Sequence, residues 1–182
     1  MLRWIFGIIY KNIMGWKVTG PYDALPDKCV LVVAPHTSTK DFWVGWVCRT
    51  YIGFKAKFLA KSELFKGATG WFLRKAGGFP VDRSKKANRV DQVVQYFYDN
   101  PVFRLAVTPE GTRKYAENWK TGFYWIALNA KVPIVMIGFD FASKTIEFKD
   151  AFYPTGDKDA DIETMKAYFR TVTGAVPENG VR

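Results

Sequence analysis

Between residues 30 and 172, short apolar runs alternate with stretches in which apolar residues recur every three or four positions. The runs at 30–34, 55–60, 79–81, 102–108 and 132–138 are brief and bounded by Gly, Pro or polar residues, as in strands buried on both faces. Residues 145–148 fit an edge strand. The intervening segments have helical period. One runs from Asp41 through Phe42, Trp43 and Trp46. A second is capped by Ser62-Glu63, carries Leu64, Phe65, Trp71, Phe72 and Leu73, and stops at Gly77-Gly78. Residues 85–100 put Val90, Val93, Val94, Phe97 and Tyr98 on one face; helices are also expected at 120–129 and 161–171. This alternation predicts one α/β domain, with a largely parallel central sheet flanked by helices.

The N-terminal segment, residues 1–18, has a different character. Leu2, Ile5, Phe6, Ile9, Ile13 and Trp16 recur at helical spacing, and Arg3, Lys11 and Lys17 are its only charges. Its apolar part falls short of the roughly 20 residues that span a bilayer, and no small-residue cleavage site follows it. The pattern predicts an amphipathic helix lying in a membrane interface, with residues 19–182 as the folded domain. A terminal helix packed on the core is the alternative.

Chemistry concentrates after the first apolar run. Pro35 ends the strand, and His36, the only histidine in the chain, follows at once. Asp41 comes five residues later, which on a continuous helix is about 140° away around the axis. The two side chains meet only if His36 lies in the turn and Asp41 in the first helical turn. Ser38-x-x-Asp41 has the spacing of a capping box that would supply that break. A carboxylate holding one imidazole nitrogen leaves the other able to take a proton, which is the requirement of a general base. Two further strands end in polar loops, Asp82-Arg83 and Glu110-Gly-Thr-Arg113. In a parallel sheet these loops converge at the carboxyl edge, bringing two guanidinium groups suited to bidentate phosphate capture beside the base.

Charge sharpens the expected partner. The chain carries +10 overall, but residues 123–182 hold seven basic against eight acidic side chains, so the excess lies in the first two thirds with these loops. That favours an anionic partner: nucleic acid, an anionic membrane surface or a phosphorylated substrate. No nucleic-acid-binding motif is present. Cys29 and Cys48, without C-x-x-C spacing or clustered histidines, predict free thiols in a reducing compartment and no metal site. The 31 aromatic residues, seven of them Trp, suit a lipid interface or an aromatic core.

His36-Thr-Ser-Thr-Lys-Asp41, Gly77-Gly-Phe-Pro-Val-Asp-Arg83, Pro109-Glu-Gly-Thr-Arg113 and Val132-Pro-Ile-Val135 resemble, in order, the four sequence blocks of the glycerolipid acyltransferase family, whose best-known members act on lysophosphatidate. The resemblance implies transfer of a fatty acyl group from acyl-CoA or acyl carrier protein, as co-substrate, to a lysophospholipid or related glycerol-phosphate hydroxyl. It implies His36 as general base oriented by Asp41, and Glu110, Gly111, Thr112 and Arg113 at the acceptor's phosphate with Arg83 helping. Lys61 falls where the family often has a lysine near the thioester oxygen. No cofactor or metal is implied, and nucleic acid is not an expected partner. The expected setting is peripheral, on the cytoplasmic face of the cell membrane. Pro35 stands where the family usually has Asn, and Met136 where a second proline is common; the long N-terminal membrane segments of many members are missing. The competing readings are a serine-type lipid hydrolase, for which no Gly-x-Ser-x-Gly elbow is present, and a non-enzymatic binder of anionic lipid or nucleic acid.

Overall fold

The computed structural model describes residues 2–75, 77–81 and 89–182. Its strands are β1 (Lys17–Thr19), β2 (Lys28–Ala34), β3 (Lys57–Lys61), β4 (Gly78–Val81), β5 (Phe103–Val107), β6 (Ile134–Asp140) and β7 (Thr145–Phe148). They form one sheet in the order β1-β7-β6-β2-β5-β3-β4. Strands β4, β3, β5, β2 and β6 are mutually parallel; β7 turns back antiparallel to β6, and β1 lies parallel to β7. The expected α/β domain with a largely parallel sheet is the fold observed.

Strand β2 is central and shows why its run is apolar at every position. The pleat sends Val30, Val32 and Ala34 into a core shared with α4 (Arg89–Asp99), α5 (Gly122–Ala130) and α6 (Lys158–Phe169). Cys29 and Leu31 face the opposite core, beneath α1 (Leu2–Ile8) and α2 (Lys40–Ile52). Both faces are covered by apolar layers, which is why the run carries no alternating polar residues. Each fully buried Val, Leu, Ile or Phe contributes about 1.5–3 kcal/mol here.

Two expectations need correction. Residues 1–18 are not one helix: α1 continues through a π turn at Ile9–Ile13, and Lys17–Thr19 then joins the sheet as β1, in register with Thr145–Glu147. The proposed boundary at 18 therefore cuts a strand. The helical part also packs on the domain. Tyr10 is fully buried, the Phe6 ring meets Trp46 edge-on at 5.4 Å, and Arg3 donates to the carbonyls of Tyr51 and Ile52 at the end of α2. Its outer face, with Trp4, Ile5 and Ile13, stays exposed. Secondly, the helix expected from Ser62 is split into a 3₁₀ turn, Ser62–Phe65, and α3 (Gly67–Lys75). Gly70 lies so close to the Phe65 backbone that a Cβ there would overlap it, which is how the turn folds onto the helix. The helix expected at 85–100 is observed over Arg89–Asp99; residues 85–88 lie outside the described ones.

Candidate active site

Because β2, β3, β4 and β5 are parallel, their carboxyl ends share one edge of the sheet. Ala34 closes β2 opposite Gly138, and His36 emerges two residues later. Val107 closes β5, and residues 108–113 leave beside it. Lys61 ends β3 opposite Val81, which ends β4. Arg83 lies outside the described residues.

His36 Nδ1 is 3.0 Å from Asp41 Oδ2. The same oxygen accepts from the main-chain N–H groups of Thr37 and Ser38, at 2.8 and 3.0 Å. It is therefore an acceptor, and Nδ1 is the donor, which leaves Nε2 unprotonated in the neutral ring. The capping box is half formed. Asp41 reaches back to Ser38 N–H, but Ser38 Oγ accepts from Lys40 N–H, and Thr39 occupies the N-cap without a side-chain bond. Asp41 is only 3% exposed in its side chain, and His36 23%. Asp41 Oδ1 is buried without a hydrogen-bond partner among the described residues. That leaves its negative potential available to an imidazolium.

His36 opens onto a cleft of about 1610 Å³, whose wall also includes Asp41, Gly111, Thr112 and Arg113. The volume exceeds the roughly 300–1,000 Å³ of ordinary small-molecule sites. From the carboxyl edge of the strands the cleft runs between α2 and the sheet. It passes Leu31, Val33 and Ala106 and reaches Ile146 and Phe148, so most of its lining is hydrocarbon and aromatic ring. The aromatic run of α2 thus divides: Phe42, Trp43 and Trp46 line the mouth and are also exposed, and Val44 enters the core. Lys57, Lys75 and Lys114 join the wall as well. The sequence reading did not single them out; the basic excess was their only signal.

In the 109–113 loop, Gly111 has φ +64°, a left-handed conformation that favours glycine, and the movable end of the Lys120 side chain lies over it. Its N–H is not free for a ligand, since it donates to the Thr108 carbonyl at 3.2 Å. Thr112 and Arg113 are exposed, and Arg113 meets no carboxylate among the described residues. Glu110 is turned the other way. It is buried, it is not part of the cleft wall, and its Oε1 accepts from the main-chain N–H of His36 at 3.0 Å. Burial pushes its carboxyl up, and the nearby Asp41 charge adds to that. Sequence reasoning grouped Glu110 with the phosphate-facing residues; the structure separates it from them.

The chain's C-terminal segment braces both loops. Val176 N–H donates to Thr37 Oγ1 at 3.0 Å, Tyr115 N–H donates to Asn179 Oδ1 at 3.3 Å, and the Arg182 guanidinium lies 4.4 Å from the Tyr115 ring. No signal within either loop announced this support.

Among the described residues no serine lines the cleft. Cys48 does, but burial pushes its thiol up to about 11, so it is protonated and poorly nucleophilic at neutral pH. Among the described residues no group of three or more His, Cys, Asp or Glu is gathered to hold a metal. The arrangement offers one imidazole at the cleft, a guanidinium in the same cleft wall and a long apolar channel leading away.

Comparison with known proteins bears on that arrangement. A family model described as Acyltransferase matches residues 16–140. A 1-acyl-sn-glycerol-3-phosphate acyltransferase of Saccharomyces cerevisiae is 29% identical over 170 residues, covering 86% of this chain and 55% of the relative. One of Streptococcus pneumoniae is 30% identical over 137 residues, covering 68% of this chain and 49% of the relative. The chain thus spans about half the length of the curated relatives it matches. The crystal structure of the 1-acyl-sn-glycerophosphate (LPA) acyltransferase PlsC from Thermotoga maritima shares the fold, with a TM-score of 0.61 over 92% of this chain and 76% of that one, at 17% identity.

Proposed function

The chain belongs to the acyltransferase family, and on that premise we propose that it moves a fatty acyl group from a thioester to the hydroxyl of a lysolipid whose other end carries a phosphate. The observation that carries this reading is that His36 and Arg113 line one cleft, which continues as an apolar channel. His36 Nε2 takes the proton of the acceptor hydroxyl as its oxygen attacks the thioester carbonyl. The tetrahedral intermediate then collapses with cleavage of the C–S bond, and the proton passes from His36 to the departing thiolate. Asp41 holds the ring and offsets its transient positive charge. Arg113, with Thr112 and the Gly111 turn, holds the acceptor's phosphate, and Arg83 is assigned the second guanidinium. Lys61, ending β3 at this edge, is assigned to the thioester oxygen.

The donor is acyl-CoA or acyl carrier protein, whose phosphate groups suit Lys57, Lys75 and Lys114. The acyl chain lies in the channel, where each buried methylene contributes about 0.8 kcal/mol, or roughly fourfold in binding. Lipid is drawn from a membrane surface. Phe42, Trp43, Trp46 and Phe6 make a chain of edge-on ring contacts at the cleft mouth, and Trp4, Ile5, Trp71 and Phe72 extend the exposed apolar face. Among the described residues no helix is long and apolar enough to cross a membrane, so this face is assigned to peripheral binding, on the cytoplasmic leaflet where the two thiols stay reduced.

A matrix assay tests the reading. Several lysolipids, with and without phosphate, are offered with acyl-CoA and acyl carrier protein donors of graded chain length, and released thiol and diacyl product are measured together. Stoichiometric thiol and product with a lysophosphatidate acceptor is the expected result. Thiol release with free fatty acid and no acceptor product would mean hydrolysis and overturn it.

A further inference from the structure

The residues of the Pro109-Glu-Gly-Thr-Arg113 loop face in two directions. Gly111, Thr112 and Arg113 line the cleft, whereas Glu110 is buried behind it. A phosphate needs donors, and a buried carboxyl presents none to the cleft; ionised, it would repel the anion. Among the described residues, its one hydrogen bond to another segment runs to the His36 loop, where Oε1 accepts from His36 N–H, 74 positions away in the chain. Oε2 has no hydrogen-bond partner among the described residues.

Strands β2 and β5 are laddered only as far as Val32 opposite Val107. Beyond that pair, among the described residues, the Glu110–His36 bond is the direct hydrogen bond between the two loops. We propose that Glu110 is a positioning residue: it ties the main chain of His36 to the loop carrying Arg113, so that the base and the acceptor's phosphate anchor are held at a fixed separation. This rests on the roles proposed above for His36 and Arg113.

The side chain does this as a hydrogen-bond acceptor through Oε1. Burial, and to a smaller extent the neighbouring Asp41, raise its carboxyl's affinity for a proton. An oxygen that only accepts from an N–H is replaced without loss by the oxygen of a primary amide. Removing the acceptor frees the His36 loop, and a displacement on the order of 1 Å of a catalytic group costs about 10²-fold.

The experiment is steady-state kinetics of wild type, Glu110→Gln, Glu110→Ala and Arg113→Ala with a soluble short-chain lysophosphatidate. Glu110→Gln is expected to keep kcat and acceptor KM within about threefold of wild type. Glu110→Ala is expected to lower kcat by roughly 10–100-fold with acceptor KM little changed, whereas Arg113→Ala raises KM. An acceptor KM that rises in either Glu110 variant as it does in Arg113→Ala would return Glu110 to phosphate binding and overturn the proposal. So would a Glu110→Gln loss in kcat as large as that of Glu110→Ala. If Glu110→Ala does not fold, the Gln variant decides on the same criteria. If wild type transfers no acyl group at all, the functional reading has failed separately, and amide hydrogen exchange at His36 still tests the tie. Protection retained in Glu110→Gln supports it; fast exchange at His36 N–H in wild type overturns it.

Discussion

Asp41 Oδ2 stands 3.0 Å from His36 Nδ1 while also accepting from the main-chain N–H groups of Thr37 and Ser38. The carboxylate is thus held by its own loop, independently of the ring it orients. Asparagine with its amide oxygen in that position still accepts from all three N–H groups, but it lacks the negative charge that offsets a protonated ring. Asp41→Asn and His36→Ala are each expected to lower kcat by about 10²–10⁴-fold with the fold intact. His36 is the only histidine, so the ¹⁵N shifts of a single imidazole report the tautomer directly. A wild-type ring protonated at Nε2 rather than Nδ1, or a variant of near-full activity, contradicts the mechanism.

Arg113 is exposed at the cleft wall without a competing carboxylate among the described residues. A lost charge-assisted hydrogen bond is worth about 1.5–3 kcal/mol. Arg113→Ala is therefore expected to raise acceptor KM about 10–100-fold for a phosphorylated lysolipid and to leave a monoacylglycerol unaffected. Lysine restores only part of the loss, because it lacks the planar bidentate fork. Equal effects on both acceptors would assign the residue to structure.

Trp4 and Trp71 are 72% and 60% exposed and do not line the cleft. The double change Trp4→Glu with Trp71→Glu should abolish co-sedimentation with phosphatidylglycerol-rich vesicles. Exposed substitutions change stability by about 0.5 kcal/mol or less, so the melting temperature and the rate on a soluble acceptor should hold. Undiminished vesicle binding would place the membrane contact elsewhere.

Glu110 also makes a stability prediction. Its folded carboxyl titrates above the ordinary value of 4.5, so between the unfolded and folded values the native state binds more protons. The stability this group contributes is complete below about pH 4.5 and is lost as pH rises through the folded value. Glutamine does not titrate. The melting temperature of Glu110→Gln relative to wild type should therefore climb with pH from about 4.5 upward. A constant difference across that range would show Glu110 to be unshifted.

Legibility in the sequence followed the range of the interactions. The 30–34 run announced β2 because both its faces meet core, and the five-residue spacing of His36 and Asp41 announced their contact because one loop makes it. Lys17–Thr19 went unrecognised because one apolar residue in three has no period of its own; its register comes from β7. Gly70 lies inside the helix expected from Ser62, yet it marks where α3 passes against the Phe65 backbone. The role of Glu110 was invisible for the same reason. It sits in a short motif with Arg113, and nothing local says that one faces solvent and the other the base.

The order of elements from β2 onward and the contact of His36 with Asp41 followed from the sequence alone, since local periodicity and short-range chemistry carry them, and the family followed from the resemblance of four short blocks. The tertiary structure decided which apolar side chains fill a core and which wall a channel. Phe42 and Val44 lie two positions apart on α2 and are both apolar, but Phe42 lines the cleft and Val44 is buried in the core. It also decided how the base loop is joined to the anion loop, because a hydrogen bond between residues 74 positions apart exists only once two parallel strands lie side by side.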